Sequence, residues 1–232
     1  MAKTKSRAMR ILLAIVLSGA GLAAGSGTAA AQGVPMNFRL AEIDGRSCGA
    51  RCPRVIVAEG VIGEETPQAF VEFLQSVAEA PGLRDVVVLN SPGGRVVASM
   101  RLGAALRKLR AAVIVARFGK EGDRDFAIAG QCMSACVYAM MGGVKRVVPP
   151  ESRVGIHRMS SQENGGGQGR SWLPGGGPTY ASDDMVEALA KYAAQMGVNP
   201  TVIRIAERIS PQEIHIVSPA ELQRWRLASP KF

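Results

Sequence analysis

Aromatic residues are scarce, at 5% of 232 residues. No cluster of Lys and Arg is interleaved with them, so the stacking platform and cationic groove of a nucleic-acid binder are missing. Histidine is scarcer still, with only His157 and His215, which leaves few choices for a general base at neutral pH. No aspartate follows Asp184. No repeat of 20 to 50 residues is present, which argues against a solenoid or propeller. The apolar run Ile11 to Leu22 is interrupted by Ser18, Gly19 and Gly21, short of the roughly 20 apolar residues of a membrane-spanning helix.

What stands at the start is informative. Lys3, Lys5, Arg7 and Arg10 precede that apolar run, and Ala29-Ala30-Ala31-Gln32 follows it with the small-x-small character of a signal-peptidase site. Residues 1–31 therefore read as a secretory signal peptide cleaved near Ala31, and residues 32–232 as one domain in the periplasm or secreted, with no membrane span after cleavage. The formal charge of +9 includes those four cations and no acid from the same stretch, so the remainder carries about +5. A mildly basic, solvated surface facing an anionic envelope accounts for that balance without nucleic acid.

Four cysteines stand as Cys48-x-x-x-Cys52 and Cys132-x-x-x-Cys136. An exported location favours disulfides over zinc, whose structural sites usually show shorter ligand spacings, so no metal is expected. Three pairings are open. A Cys48–Cys52 loop closes easily. Cys132 and Cys136 are neighbours on a helix face, where a bridge inside a regular helix is strained.

Along the chain, Arg54 to Ile62 reads as a strand, and Thr66 caps a helix with Pro67 at its first position and Phe70, Phe73, Leu74 and Val77 on one face. The unbroken run Asp85 to Asn90 is typical of a strand buried on both faces. A helix over about Val96 to Arg110 and a second apolar strand, Ala112 to Ala116, complete a βαβ unit, which predicts parallel sheet. After a charged loop at Lys120 to Asp125, the residues Gln131 to Met140 read as a buried helix. Lys145 to Val148 and Val154 to His157 read as short strands. The stretch Asn164 to Gly177 contains seven glycines and too few apolar groups to pack, so it reads as a loop. Ser182 caps a helix that ends at Gly197, and Ser218-Pro219-Ala220-Glu221 is a capping box that opens a C-terminal one.

Three segments combine in order and spacing: Asn90-Ser91-Pro92-Gly93-Gly94 after a buried strand, Gly130-Gln131-Cys132-Met133-Ser134-Ala135, and Ser152-Arg153-Val154-Gly155-Ile156-His157. Together they resemble the proteolytic subunit of the Clp protease and its crotonase-like superfamily, over roughly Ile56 to Leu227. The resemblance implies an α/β fold, a spiral of ββα units with a mostly parallel sheet flanked by helices. It implies Ser134 as nucleophile, His157 as general base, and the N–H groups of Gly94 and Ala135 as the oxyanion hole. It also implies a homo-oligomer and a peptide or unfolded polypeptide as substrate, with no cofactor. The chemistry agrees: a serine at a helix start meets unsatisfied N–H groups, and a Gly-Gly turn lets backbone approach a carbonyl.

Two departures from the Clp pattern stand out. The family's aspartate aligns with Ile214, so Glu213, one residue away, is the candidate that would orient His157. Cysteines flank Ser134 where the family has small residues. The expected function is an exported serine hydrolase of the peptidase type. The competing reading is a non-catalytic envelope protein that keeps the fold for assembly or binding. Ser/Lys chemistry would require Lys145 or Lys191 beside Ser134, and coenzyme A chemistry is disfavoured by export.

Overall fold

The computed structural model describes residues 33–43, 52–121, 124–161 and 179–229. The signal-peptide reading, Cys48 and the glycine-rich stretch 164–177 lie outside the described residues. In chain order the elements are β1 (Asn37–Glu42), β2 (Arg54–Glu59), α1 (Thr66–Val77), β3 (Leu83–Asn90), α2 (Val96–Lys108), β4 (Ala112–Glu121), β5 (Arg124–Ala129) and β6 (Gln131–Met133). There follow α3 (Cys136–Met141), β7 (Lys145–Val147), β8 (Arg153–Ile156), β9 (Ser160–Ser161), β10 (Thr179–Tyr180), α4 (Asp183–Gln195), α5 (Thr201–Ala206), β11 (His215–Ile216) and α6 (Pro219–Arg224).

The main sheet runs β1-β2-β3-β4-β5, with β7 paired to the first half of β4. The pairs β2/β3, β3/β4 and β4/β7 are parallel, while β1/β2 and β4/β5 are antiparallel. This is a mostly parallel α/β sheet flanked by helices, with β3, α2 and β4 forming the expected βαβ unit. Alternate residues of each strand face opposite sides. Ile56, Ala58, Val87, Leu89, Val113 and Val115 join the large core shared with the helices. Val55, Val57, Val88 and Ala116 form a smaller buried cluster with Val86, Ile114 and Phe118. Burial on both faces explains the unbroken apolar runs Val86–Leu89 in β3 and Ala112–Ala116 in β4.

Three expectations shift. The apolar strand at Ala112 continues to Glu121 and pairs antiparallel with β5, so Lys120, Glu121, Arg124 and Asp125, read as loop, belong to paired strands. Thr66 is the first residue of α1, with Glu65 before it as cap, and its hydroxyl accepts the Gly63 N–H at 2.9 Å. Gln131 to Met133 is a strand, and the helix begins only at Cys136. There, pairing of β6 with β8 overrides the helical propensity of a short apolar stretch.

The helices lock together at α3. A Cβ on Gly142 would stand 2.0 Å from the Gly103 carbonyl oxygen, so the end of α3 rests on the backbone of α2 only because both residues lack side chains. The Tyr192 hydroxyl, on α4, donates to the Tyr138 carbonyl of α3 at 2.8 Å. Arg146 then binds the carbonyls that helix ends leave without partners. Its guanidinium donates to Gly143 O at 2.7 Å, Leu227 O at 2.8 Å and Arg226 O at 2.9 Å, with longer bonds to Met141 and Met196. Arg107 reaches Met196 O at 2.8 Å and Met141 O at 3.2 Å. Burial, and then the neighbouring Arg107 charge, lower the Arg146 pKa to about 10, which still leaves it cationic at neutral pH.

Two predictions follow from these contacts, each read by equilibrium denaturation. Replacing Arg146 by Met strands several buried carbonyls and costs about 3–5 kcal/mol. Arg146→Lys recovers only part of that, because an ammonium offers three donors and no planar fork.

At the C-terminal helix, Glu221 accepts from the Ser218 N–H and hydroxyl, both at 2.8 Å, and from His215 Nε2 at 3.0 Å, completing the expected capping box. Desolvation pushes its pKa up, but these hydrogen bonds together outweigh it and hold the carboxyl below its ordinary value of 4.5. A depressed carboxylate stabilises the fold above its unfolded-state pKa, and that stabilisation is lost as pH falls through the folded value. Glu221→Gln, which keeps the capping geometry but not the charge, therefore costs about 0.3–1 kcal/mol at neutral pH after solvent screening, and its stability difference from the parent shrinks as pH drops below the ordinary carboxylate range.

Candidate active site

Three segments predicted from sequence converge on one point. At the end of β3, Asn90 Oδ1 accepts the Gln131 N–H at 3.0 Å. Ser91 then exchanges backbone bonds with β6: its N–H donates to Gln131 O at 2.8 Å and its carbonyl accepts from Met133 N at 3.0 Å. On the other side of β6, the Ser134 N–H donates to Gly155 O at 2.8 Å. Gly155 lies in β8, two residues before His157.

Ser134 sits at φ +55° between β6 and α3. Three non-glycine residues among those described have positive φ: Arg110, Ser134 and Arg226. Arg110 and Arg226 follow α2 and α6, where a left-handed residue commonly ends a helix. Ser134 precedes its helix, so no such terminating role explains it. Ser134 therefore holds a sparsely populated backbone region in a strand-to-helix turn, a strain that persists only where the surroundings fix it.

The Cys132–Cys136 disulfide brackets this turn, with a Cα–Cα distance of 5.2 Å. The objection to a bridge within a regular helix does not apply, since Cys132 belongs to β6 and Cys136 opens α3. Both cysteines are fully buried. Cys52 is also disulfide-bonded.

Gly93 and Gly94 have φ of +111° and +141°. A Cβ at Gly93 would lie 2.8 Å from Met133 O, 2.9 Å from Ser134 Cβ and 3.2 Å from Ala135 N. The glycine loop is therefore in van der Waals contact with the serine turn, and only glycine fits there. Ser91 Oγ accepts the Gly93 N–H at 3.1 Å and so holds the loop. Among the described residues, neither the Gly94 nor the Ala135 N–H has a protein acceptor. Two free N–H groups beside a serine hydroxyl suit the binding of an oxyanion.

His157 is half-buried and lines one pocket with Ser134, Ala135, Tyr138, Met159 and Ala206. Its Nδ1 is buried and has no hydrogen-bond partner. Glu213 stands exposed before β11 and therefore does not supply that partner. His215 is engaged with Glu221, at the capping box. Lys145 and Lys191 are exposed, and neither lines the Ser134 pocket. Beside the pocket runs an open cleft of about 820 Å³, walled by Gly94, Val97, Arg101, Met159 and Tyr180, with the Arg95–Glu64 ion pair at its rim.

The sequence motifs singled out Ser134, His157 and the Gly93-Gly94 turn, which the fold brings near one another, but not the hydrogen bonds of Asn90 and Ser91 that hold this region. Polar residues ending an unbroken apolar run were the available signal. Gly93→Ala is predicted to cost about 2 kcal/mol or more through its left-handed backbone and its backbone clash. It should also displace the Ser134 turn, both effects being read by denaturation and by the backbone NMR shifts of residues 133–135.

No family model matches the chain, and no curated protein matches it. Among solved structures, the chain is similar to the 1510-N membrane-bound stomatin-specific protease in a serine-to-alanine mutant, at 16% identity and TM-score 0.49, covering 76% of this chain and 78% of that one. It is similar to a lysine-to-alanine mutant of the same protease in complex with a substrate peptide, at 17% identity and TM-score 0.48, covering 76% and 74%. It is also similar to ClpP1 from Listeria monocytogenes, at 17% identity and TM-score 0.48, covering 75% of this chain and 88% of that one.

Proposed function

We propose that this protein is an exported serine hydrolase that cleaves peptides. The observation that carries the reading is the left-handed Ser134 turn, set against two N–H groups without acceptors and sharing a pocket with His157. His157 takes the Ser134 proton as Oγ attacks the substrate carbonyl, and the resulting oxyanion is bound by the Gly94 and Ala135 amides. The tetrahedral species expels the amine, which takes the proton back from His157, and leaves an acyl-serine. Water, deprotonated by the same histidine, then releases the acid and restores the hydroxyl. No cofactor enters these steps. An extended peptide fits the adjacent open cleft, and a homo-oligomer is the expected assembly from the motif resemblance.

Glu213 is not engaged with His157, so the base is proposed to act without it. That same open position at Nδ1 favours the second reading, a non-catalytic envelope protein. One experiment separates the two. The purified mature protein is treated with a fluorophosphonate probe beside Ser134→Ala and His157→Ala. A hydrolase labels in the parent, not in Ser134→Ala, and at least 100-fold more slowly in His157→Ala. Equal labelling of the parent and Ser134→Ala, or none of either, supports the binding role.

A further inference from the structure

Four buried side-chain polar atoms lack a hydrogen-bond partner among the described residues: Arg107 Nε, His157 Nδ1, Arg158 Nε and Glu207 Oε2. Orphaned buried groups are rare in folded proteins and each calls for an explanation. Arg158 Nε and Glu207 Oε2 face each other at 3.4 Å, and His157 adjoins Arg158 in the segment after β8 that lies against the end of α5. The Arg158 N–H donates to Ile209 O at 3.0 Å, and the Met159 N–H donates to Glu207 Oε1 at 3.2 Å. Ala206, next to Glu207, lines the same pocket as His157 and Ser134. Glu207 Oε2 is the one acceptor of the three, and the other two atoms are donors or become donors when protonated.

We infer that Glu207 is the positioning carboxylate of His157: Nδ1 and Oε2 are each without a hydrogen bond in the structure, and a turn of the two side chains toward each other would pair them while Oε1 stays anchored by Met159. The inference rests on the Ser134–His157 reading above and supplies the group which that reading leaves out. Arg158 is the competitor. Its Nε stands 3.4 Å from Oε2 without forming a hydrogen bond, and its guanidinium lies over the Tyr180 ring at 4.0 Å. A cation held by an aromatic face needs the carboxylate less. Tyr180 walls the open cleft, so Arg158 can remain on Tyr180 and leave Oε2 to the histidine.

Desolvation is weaker for a shared proton than for a lone ion, which suits a carboxylate with side-chain exposure of only 12%. Tyr138 reports the same charge: burial first, and Glu207 second, raise its phenol well above the ordinary value. A carboxylate on Nδ1 fixes the neutral imidazole as the Nδ1–H tautomer and aims the Nε2 lone pair away, toward the pocket that Ser134 lines. Glu207 acts through His157 and does not touch substrate.

The test uses the full mature chain with ¹⁵N-labelled histidine, comparing the parent with Glu207→Gln and Arg158→Ala. The ¹⁵N shifts of neutral His157 report its tautomer whether or not the protein is an enzyme. The parent should hold mainly Nδ1–H, Glu207→Gln should move the population toward Nε2–H, and Arg158→Ala should raise Nδ1–H. In parallel, Glu207→Gln should slow fluorophosphonate labelling about tenfold or more. Glu207→Asp should recover part of the rate.

An unchanged tautomer in Glu207→Gln overturns the inference. If that variant fails to fold, a parent and an Arg158→Ala variant that both hold mainly Nε2–H overturn it instead. A tautomer that responds in a parent that does not label at Ser134 upholds the Glu207 contact and sinks the hydrolase reading.

Discussion

The site depends on how β6 is held. Three residues long, it is bonded to Ser91 on one side and to Gly155 on the other. A strand that short has no stability of its own. Its position comes from the end of the buried strand β3 and from β8, and both are set by the core. The left-handed serine follows directly, since the chain must leave a fixed strand and enter α3, whose own place is set by contact with α2. The backbone strain of that turn is opposed by α3 packing, the Cys132–Cys136 bridge and the Ser134–Gly155 bond acting together.

Around this point the protein uses polar groups sparingly and for position. Arg146 and Arg107 collect the free carbonyls at the ends of α3, α4 and α6, and so join the helix behind Ser134 to the C-terminal part of the chain. The Glu221 carboxylate does similar work for α6 and for β11, which borders β8. These bonds lie outside the pocket, yet they fix the strand from which His157 projects. A variant that loosens them would reach the site through β8 and α3.

The sheet around the site is buried on two faces, and this separates signals that are legible in sequence from those that are not. Unbroken apolar runs at β3 and β4, the caps at Ser182 and Ser218, and the Gly93-Gly94 turn are local features, each with its own residue signature, and the structure has them where expected. The stretch Gln131 to Met140 misleads, because small and apolar residues suit a buried helix and a buried strand equally. Only pairing with β8 and the end of β3 divides it into strand, turn and helix. The same division makes the Cys132–Cys136 bridge possible, since the two cysteines belong to different elements.

The sequence alone determined which residues are available for chemistry and their order: Ser134 after a short apolar stretch, glycines after a buried strand, and a histidine at the end of the strand after Val154. Tertiary structure alone decided how they meet. It put Gly93 against the Ser134 turn, left the Gly94 and Ala135 amides without acceptors among the described residues, and turned Glu213 to solvent. It also brought Glu207, which no local pattern marks, onto the Met159 N–H, two residues from His157. The reason is physical: a carboxylate's role depends on what is packed around it, and that packing joins α5 to the end of β8 across 48 residues of chain, a separation no local motif spans.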